Sequence, residues 1–181
     1  GAFEDRAVYL DIETNGGHRG VDEITVIGLY DGSRVQTYVN GINLDEFETA
    51  ISPYELIITF NGSLFDLPVI RRHFPSISLP PGHIDLRFLL NKLGYRGGLK
   101  AIERQFSLHR GSTIDGMTGY DAVNLWKAYQ WGDKSALERL VEYNTADIVN
   151  LKPLMEMGYK RLKEELLYSN AIAPHEMTVR F

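Results

Sequence analysis

Four acidic residues stand where a folded chain could gather them: Asp11 and Glu13 in AVYLDIET, Asp66 in TFNGSLFD, and Asp147 in EYNTADIVNL. Carboxylate oxygens are the preferred ligands of hard divalent cations, and phosphate-ester cleavage often uses two such ions about 3.5–4 Å apart. The chemistry open to this set is metal-assisted attack on a phosphate ester, with Mg2+ or Mn2+ as the ions. A phenol joins the fourth acid. Tyr143 precedes Asp147 by four residues, a spacing that puts both on one helical face about one turn apart. There the phenol can orient a water held by the acid's metal.

The elements that must carry these residues are legible as a run of strands followed by helices. Ala7–Ile12 is a compact apolar strand, and its alternation puts Asp11 and Glu13 on one face while Ile12 turns into the core. Glu23–Tyr30 is a second strand, and Asp31-Gly32 is a hairpin signal leading into Arg34–Val39. Leu44–Ile51 reads as a short helix ended by Ser52-Pro53. Leu56–Phe60 (LIITF) is apolar throughout, as a strand covered on both faces is. Helices are expected over Leu67–His73, Leu86–Leu93, Leu99–Phe106, Ala122–Tyr129 and Lys134 to about Leu167, the last with a kink or break at Pro153 or near Asn144. Residues 107–119 (SLHRGSTIDGMTG) read as a Gly-rich loop, suited to a mobile flap over a site. The fold class expected is a mixed α/β sheet with helices packed on it.

Each acid also has an ordinary reading. Asp11 and Glu13 suit a polar strand-to-loop boundary. Asp66, just before Leu67-Pro68, suits a helix N-cap. Against that, Asn61 and Phe65 place it at a strand exit, where ligands bind in α/β sheets. Asp85, in GHIDLRFLL, is a fifth acid that reads first as the N-cap of the helix from Leu86 and otherwise as a group near the metals. A second Tyr–Asp pair with the same spacing, Tyr129 and Asp133, contains Gly132, and Asp133 looks like the cap of the helix that follows. The pair Tyr143 and Asp147 has no such breaker.

The 181 residues fit one domain, with a core over about 7–168 and a tail over 169–181, and an apolar fraction of 44% supplies that core. The absence of cysteine excludes disulfides and zinc–thiolate sites. No apolar run is long enough to span a membrane and the N-terminus lacks a secretion signal, so a cytoplasmic location is expected. The net charge of −5 is unevenly spread: Arg87, Lys92, Arg96, Lys100, Arg104 and Arg110 face only Glu103 between Leu86 and Ile114. That strip is either a solvated helical face or a surface that tracks phosphates. His18, His73, His83 and His109 show no metal-ligand spacing and read as loop or surface residues, His83 being near enough to Asp85 to touch the site, and His175 reads as part of the tail. Trp126 and Trp131 read as core or loop packing. Thr14, Asn61, Leu64 and Phe65 are the candidate substrate contacts, with Leu64 or Phe65 either packing or wedging against a terminal base.

Taken together, DIET, NGSLFD and YNTAD resemble the three exonuclease motifs of the DEDD superfamily in its tyrosine-containing branch. FNGSLFDLPVI is similar to the second motif of family-B polymerase proofreading domains. The stretch LWKAYQWGDKSALERLVEYNTADIVNL is similar to the end of small bacterial and archaeal exonuclease-like ribonuclease H proteins. Residue 142 is Glu142, so the histidine-containing branch, which needs a histidine there, does not fit. The resemblance spans about Val8 to Leu154. It implies a ribonuclease-H-like fold and a two-metal 3′–5′ exonuclease acting on a single-stranded 3′ end of DNA or RNA. It also implies that Asp11, Glu13 and Asp147 hold the metal that activates water. Asp11 then bridges to a second ion assisted by Asp66, and Tyr143 positions the nucleophile. A catalytically silent nucleic-acid-binding module and an endonuclease of the same fold are the alternatives. Protein partners are not legible.

Overall fold

In a computed structural model, residues 4–17 and 21–172 are described. Five strands form one sheet, β1 (Ala7–Thr14), β2 (Ile24–Tyr30), β3 (Val35–Val39), β4 (Leu56–Thr59) and β5 (Gly82–Asp85), in the order β3-β2-β1-β4-β5. The pairs β1–β2 and β2–β3 are antiparallel, and β1–β4 and β4–β5 are parallel. The mixed α/β sheet expected from the sequence is therefore present. β5 is the strand that sequence reasoning missed: GHID is short, and it does not alternate or run apolar.

Period-two alternation sorts β1 cleanly. Val8, Leu10 and Ile12 point to one side, where Phe47 and Ile51 of α1 (Phe47–Ile51) and Val69 and Ile70 of α2 (Asp66–His73) cover them. Ala7 and Tyr9 point to the other, against α3 (Leu86–Lys92), α4 (Leu99–Gln105) and Leu151 and Leu154 of α6 (Lys134–Ile172). β4 is buried on both faces, Ile57 joining the first layer and Ile58 the second. Burying such side chains stabilises each by about 1.5–3 kcal/mol. A third cluster joins α5 (Gly119–Gln130) to the first half of α6 through Trp126, Leu140 and Tyr143.

Several expectations are corrected. α6 runs unbroken through Pro153. The proline removes one backbone donor, but Ile148, Leu151 and Leu154 are wholly buried on either side of it, and that packing keeps the helix on the sheet. The segment 107–119 is not a free flap. Leu108 packs on the second core layer, Ile114 and Met117 are buried in the third, and Arg110 is paired with buried acids. Trp126 is core, whereas Trp131 is 92% exposed at the helix end and packs nowhere. Of the expected tail over 169–181, residues 169–172 continue α6; residues 173–181, His175 among them, and His18 lie outside the described residues. No described helix is long and apolar enough to cross a membrane.

Candidate metal centre

Asp11 and Glu13 project from β1 toward α6, the side opposite Ile12, and Asp147 comes down from α6 to meet them. One oxygen from each of the three carboxylates lies within 4.8 Å of the others. Glu13 and Asp147 are buried and Asp11 partly so. Asp66 is not in that set. It is the first residue of α2 rather than its cap, and its Oδ1 accepts a hydrogen bond from Ile12 N at 3.1 Å. Asp66 thus ties the start of α2 to β1 between the two other acids, buried but one step removed from them.

Burial is the largest cause of the site's electrostatics. It pushes Asp11 and Glu13 well above the ordinary carboxylate range, and the charge of Asp147 adds to both. Asp66 is raised by burial to about 7, partly opposed by its hydrogen bond from Ile12. Asp147 is raised by burial and pulled back by Arg110 and Lys100. Tyr143 is also raised, first by burial and then by Asp147, Glu13 and Asp11, so its hydroxyl stays protonated. Gathered, desolvated carboxyls either hold protons or take a counter-cation, and an all-oxygen donor set suits a hard divalent ion.

Tyr143 sits on the buried face of α6, one turn before Asp147. Lys100 of α4 donates from Nζ to its hydroxyl oxygen, lies 4.3 Å from its ring centre, and stands 3.9 Å from Asp147 Oδ1. Sequence reasoning had Lys100 and Arg110 only as members of a basic strip. The other members, Arg87, Lys92, Arg96 and Arg104, are exposed.

Asn144 was also missed. Its Nδ2 donates to Asp11 O at 3.2 Å and to Asp11 Oδ2 at 3.1 Å. It reaches there over Gly28, the residue opposite Asp11 on β2. A Cβ at position 28 would come within 2.1 Å of Asn144 Oδ1. The glycine is needed for space, and a polar residue next to Tyr143 was its only signal.

The substrate candidates divide. Leu64 and Phe65 are exposed, 68% and 38%, on the loop leading to Asp66. Asn61 adopts a left-handed φ of 68°, and its Oδ1 accepts from Arg87 Nη1 at 2.6 Å. Asp85 clamps this loop, accepting from Asn61 N at 2.8 Å and Ser63 N at 3.0 Å while capping α3 through Arg87 N at 3.1 Å. Its capping role is as expected, and the loop clamp comes with it. Thr14 is buried, with its Oγ1 donating to Asp22 Oδ1 at 3.4 Å. His83 does not reach the acids; its Nε2 bonds Thr59 Oγ1 at 2.9 Å.

A family model of the RNase_H superfamily, RNase_H_2, matches residues 8–159. The chain belongs to that superfamily, and its sheet and helices are an RNase H-like fold. Solved structures share the fold at low identity, three of them as follows. RNase D of Escherichia coli, described as an exoribonuclease involved in structured RNA processing, is 19% identical at a TM-score of 0.64, over 90% of this chain and 41% of that one. The family B DNA polymerase of Pyrobaculum calidifontis is 16% identical at 0.63, over 89% of this chain and 24% of that one. Brucella melitensis NrnC with bound Mg2+ is 21% identical at 0.60, over 90% and 76%. The chain thus spans about a quarter of the polymerase and two fifths of RNase D. No curated protein is similar enough in sequence to match.

Proposed function

We propose that this chain is a divalent-metal-dependent 3′–5′ exonuclease that takes a single-stranded 3′ end of DNA or RNA and hydrolyses its terminal phosphodiester. The observation that carries the reading is the meeting of Asp11, Glu13 and Asp147 within 4.8 Å, with the Tyr143 hydroxyl among their charges. The exoribonuclease RNase D and the Mg2+-bound NrnC share the fold and support it.

In this reading Asp11, Glu13 and Asp147 would hold one Mg2+ or Mn2+, and Asp66 would serve a second directly or through water. Such ions, when bound, would supply an acidified nucleophile and stabilise the charge of the leaving 3′-oxygen. The protein's own groups arrange the rest. Lys100 donates to the Tyr143 oxygen, which leaves the phenol O–H free to hydrogen-bond to the attacking water and fix its direction. Lys100 also offers positive charge beside the reacting phosphate. Asn144 holds the Asp11 carboxylate in its orientation. The exposed Leu64 and Phe65 pack on a terminal base, and Asn61, braced by Arg87, meets the sugar–phosphate backbone.

The test uses RNA and DNA oligonucleotides labelled at the 5′ end, with Mg2+ or Mn2+. A ladder shortening from the 3′ end, lost on adding a chelator, is expected. Internal cuts instead would assign an endonuclease, and binding without cleavage would assign a silent module.

A further inference from the structure

Arg110 is a buried cation for which the proposed chemistry has no use. Its side chain is 4% exposed and lies between two buried carboxylates. Glu103, on α4, accepts from its Nε at 2.8 Å and its Nη2 at 2.6 Å. The same Nη2 pairs with Asp147 Oδ1. Glu103 is also held from α6, by Asn150 Nδ2 at 3.0 Å. Arg110 Nη1 is buried without a hydrogen-bond partner. A buried guanidinium with an unused donor is costly, and apolar side chains of similar volume often pack as well or better than a buried ion pair. Joining α4 to α6 therefore does not account for it.

The acids do account for it. Asp147 is gathered with Asp11 and Glu13, and these like charges repel unless a cation lies among them. Arg110 occupies an oxygen of the one acid that comes from a different element, α6. That carboxylate belongs to the set that would ligate a metal, so guanidinium and ion draw on the same group. Glu103 draws the guanidinium the other way. The Lys100 ammonium, 3.9 Å from the same oxygen, is a looser second cation.

We propose that the Glu103–Arg110 pair positions Asp147 before metal arrives and competes with the divalent cation for it, with Glu103 setting how firmly the guanidinium holds on. This rests on the metal-binding reading above. Arg110 and Glu103 are positioning residues, since each acts through Asp147. The consequence is a pair of opposite effects. Removing Glu103's charge leaves Arg110 wholly to Asp147, and metal binding weakens. Removing both members frees the Asp147 oxygen at no change in net charge, and metal binding tightens.

Calorimetric titration of Mn2+ into metal-free protein at neutral pH reads this directly, without substrate. Glu103→Gln is expected to weaken Mn2+ binding roughly tenfold, the scale of groups that orient a ligand. The double variant Glu103→Gln with Arg110→Met is expected to bind several-fold more tightly than the unaltered protein and to show a larger rise in melting temperature on adding Mn2+. A purely structural role predicts weaker binding in both. Should the double variant fail to fold, Arg110→Lys serves: one ammonium cannot span both carboxylates, so tighter binding is again expected. Equal or weaker binding by the folded double variant, or by Arg110→Lys in its place, overturns the proposal. No Mn2+ uptake by the unaltered protein overturns the metal-centre reading with it.

Discussion

Two Tyr–Asp pairs with identical spacing lie fourteen residues apart in this chain, and they end in opposite surroundings. Tyr129 and Asp133 straddle a helix end. Gly132, at a φ of 103°, closes α5, and Asp133 is exposed and accepts from Ser135 N at 3.0 Å and Ser135 Oγ at 2.7 Å as it caps α6. Those hydrogen bonds lower its pKa. Tyr143 and Asp147 lie within α6, buried against β1, and burial raises both. The same local geometry gives a helix cap in one place and a metal-ligand candidate in the other. Spacing sets which side chains share a face; what that face meets decides their chemistry.

The largest contrast expected is in cleavage. Asp147→Ala should lower the rate about a thousandfold or more, the order lost with several kcal/mol of metal-ion stabilisation. Asp133→Ala should leave it unchanged. Full activity of Asp147→Ala at saturating Mg2+ or Mn2+ would sink the assignment. Gly28→Ala comes next, because its Cβ drives Asn144 off Asp11. A stability loss of about 1–3 kcal/mol is expected in chemical denaturation, along with weaker Mn2+ binding. Tyr143→Phe should slow cleavage roughly tenfold, the scale of one hydrogen bond, with an unchanged melting curve; Tyr129→Phe should do nothing to the rate.

The smallest contrast is in pH dependence, and its signs are opposite. Asp11, Glu13 and Asp66 have folded pKa values above their unfolded ones. The metal-free protein should therefore lose stability as pH rises from the ordinary carboxylate range through about 7, where Asp66 ionises. Divalent cation should restore the loss above that pH. Asp133, with its lowered pKa, contributes stability that is lost only as pH falls into the acid range. Melting curves of the unaltered protein and of Asp133→Ala, with and without Mg2+, separate the two. A metal-free midpoint that does not fall between pH 4 and pH 7 would contradict the electrostatics of the site.

Much of this was legible because it is local. Alternation in AVYLDIET puts Asp11 and Glu13 on one side and Ile12 on the other, and the structure keeps that split. LIITF reads as a strand covered twice, and Ile57 and Ile58 enter different layers. The strand β5 was hidden because four mixed residues carry no period. Pro153 pointed to a kink or break that tertiary packing overrode. Asp66 looked like a cap from its neighbours, yet its partner, the Ile12 amide, lies 54 residues away.

The sequence by itself determined the order of strands and helices apart from β5, the facing of the acid pair on β1, and the shared face of Tyr143 and Asp147. These follow from periods of two and 3.6 residues, which need no distant partner. Only the tertiary structure decided that Asp147 meets β1 while Asp66 stands aside, and that Lys100 seeks Tyr143. Only there does Gly28 make room for Asn144, and Arg110 lie between Glu103 and Asp147. Each of those is a contact between elements far apart in the chain, set by which faces pack together, and no local spacing encodes it.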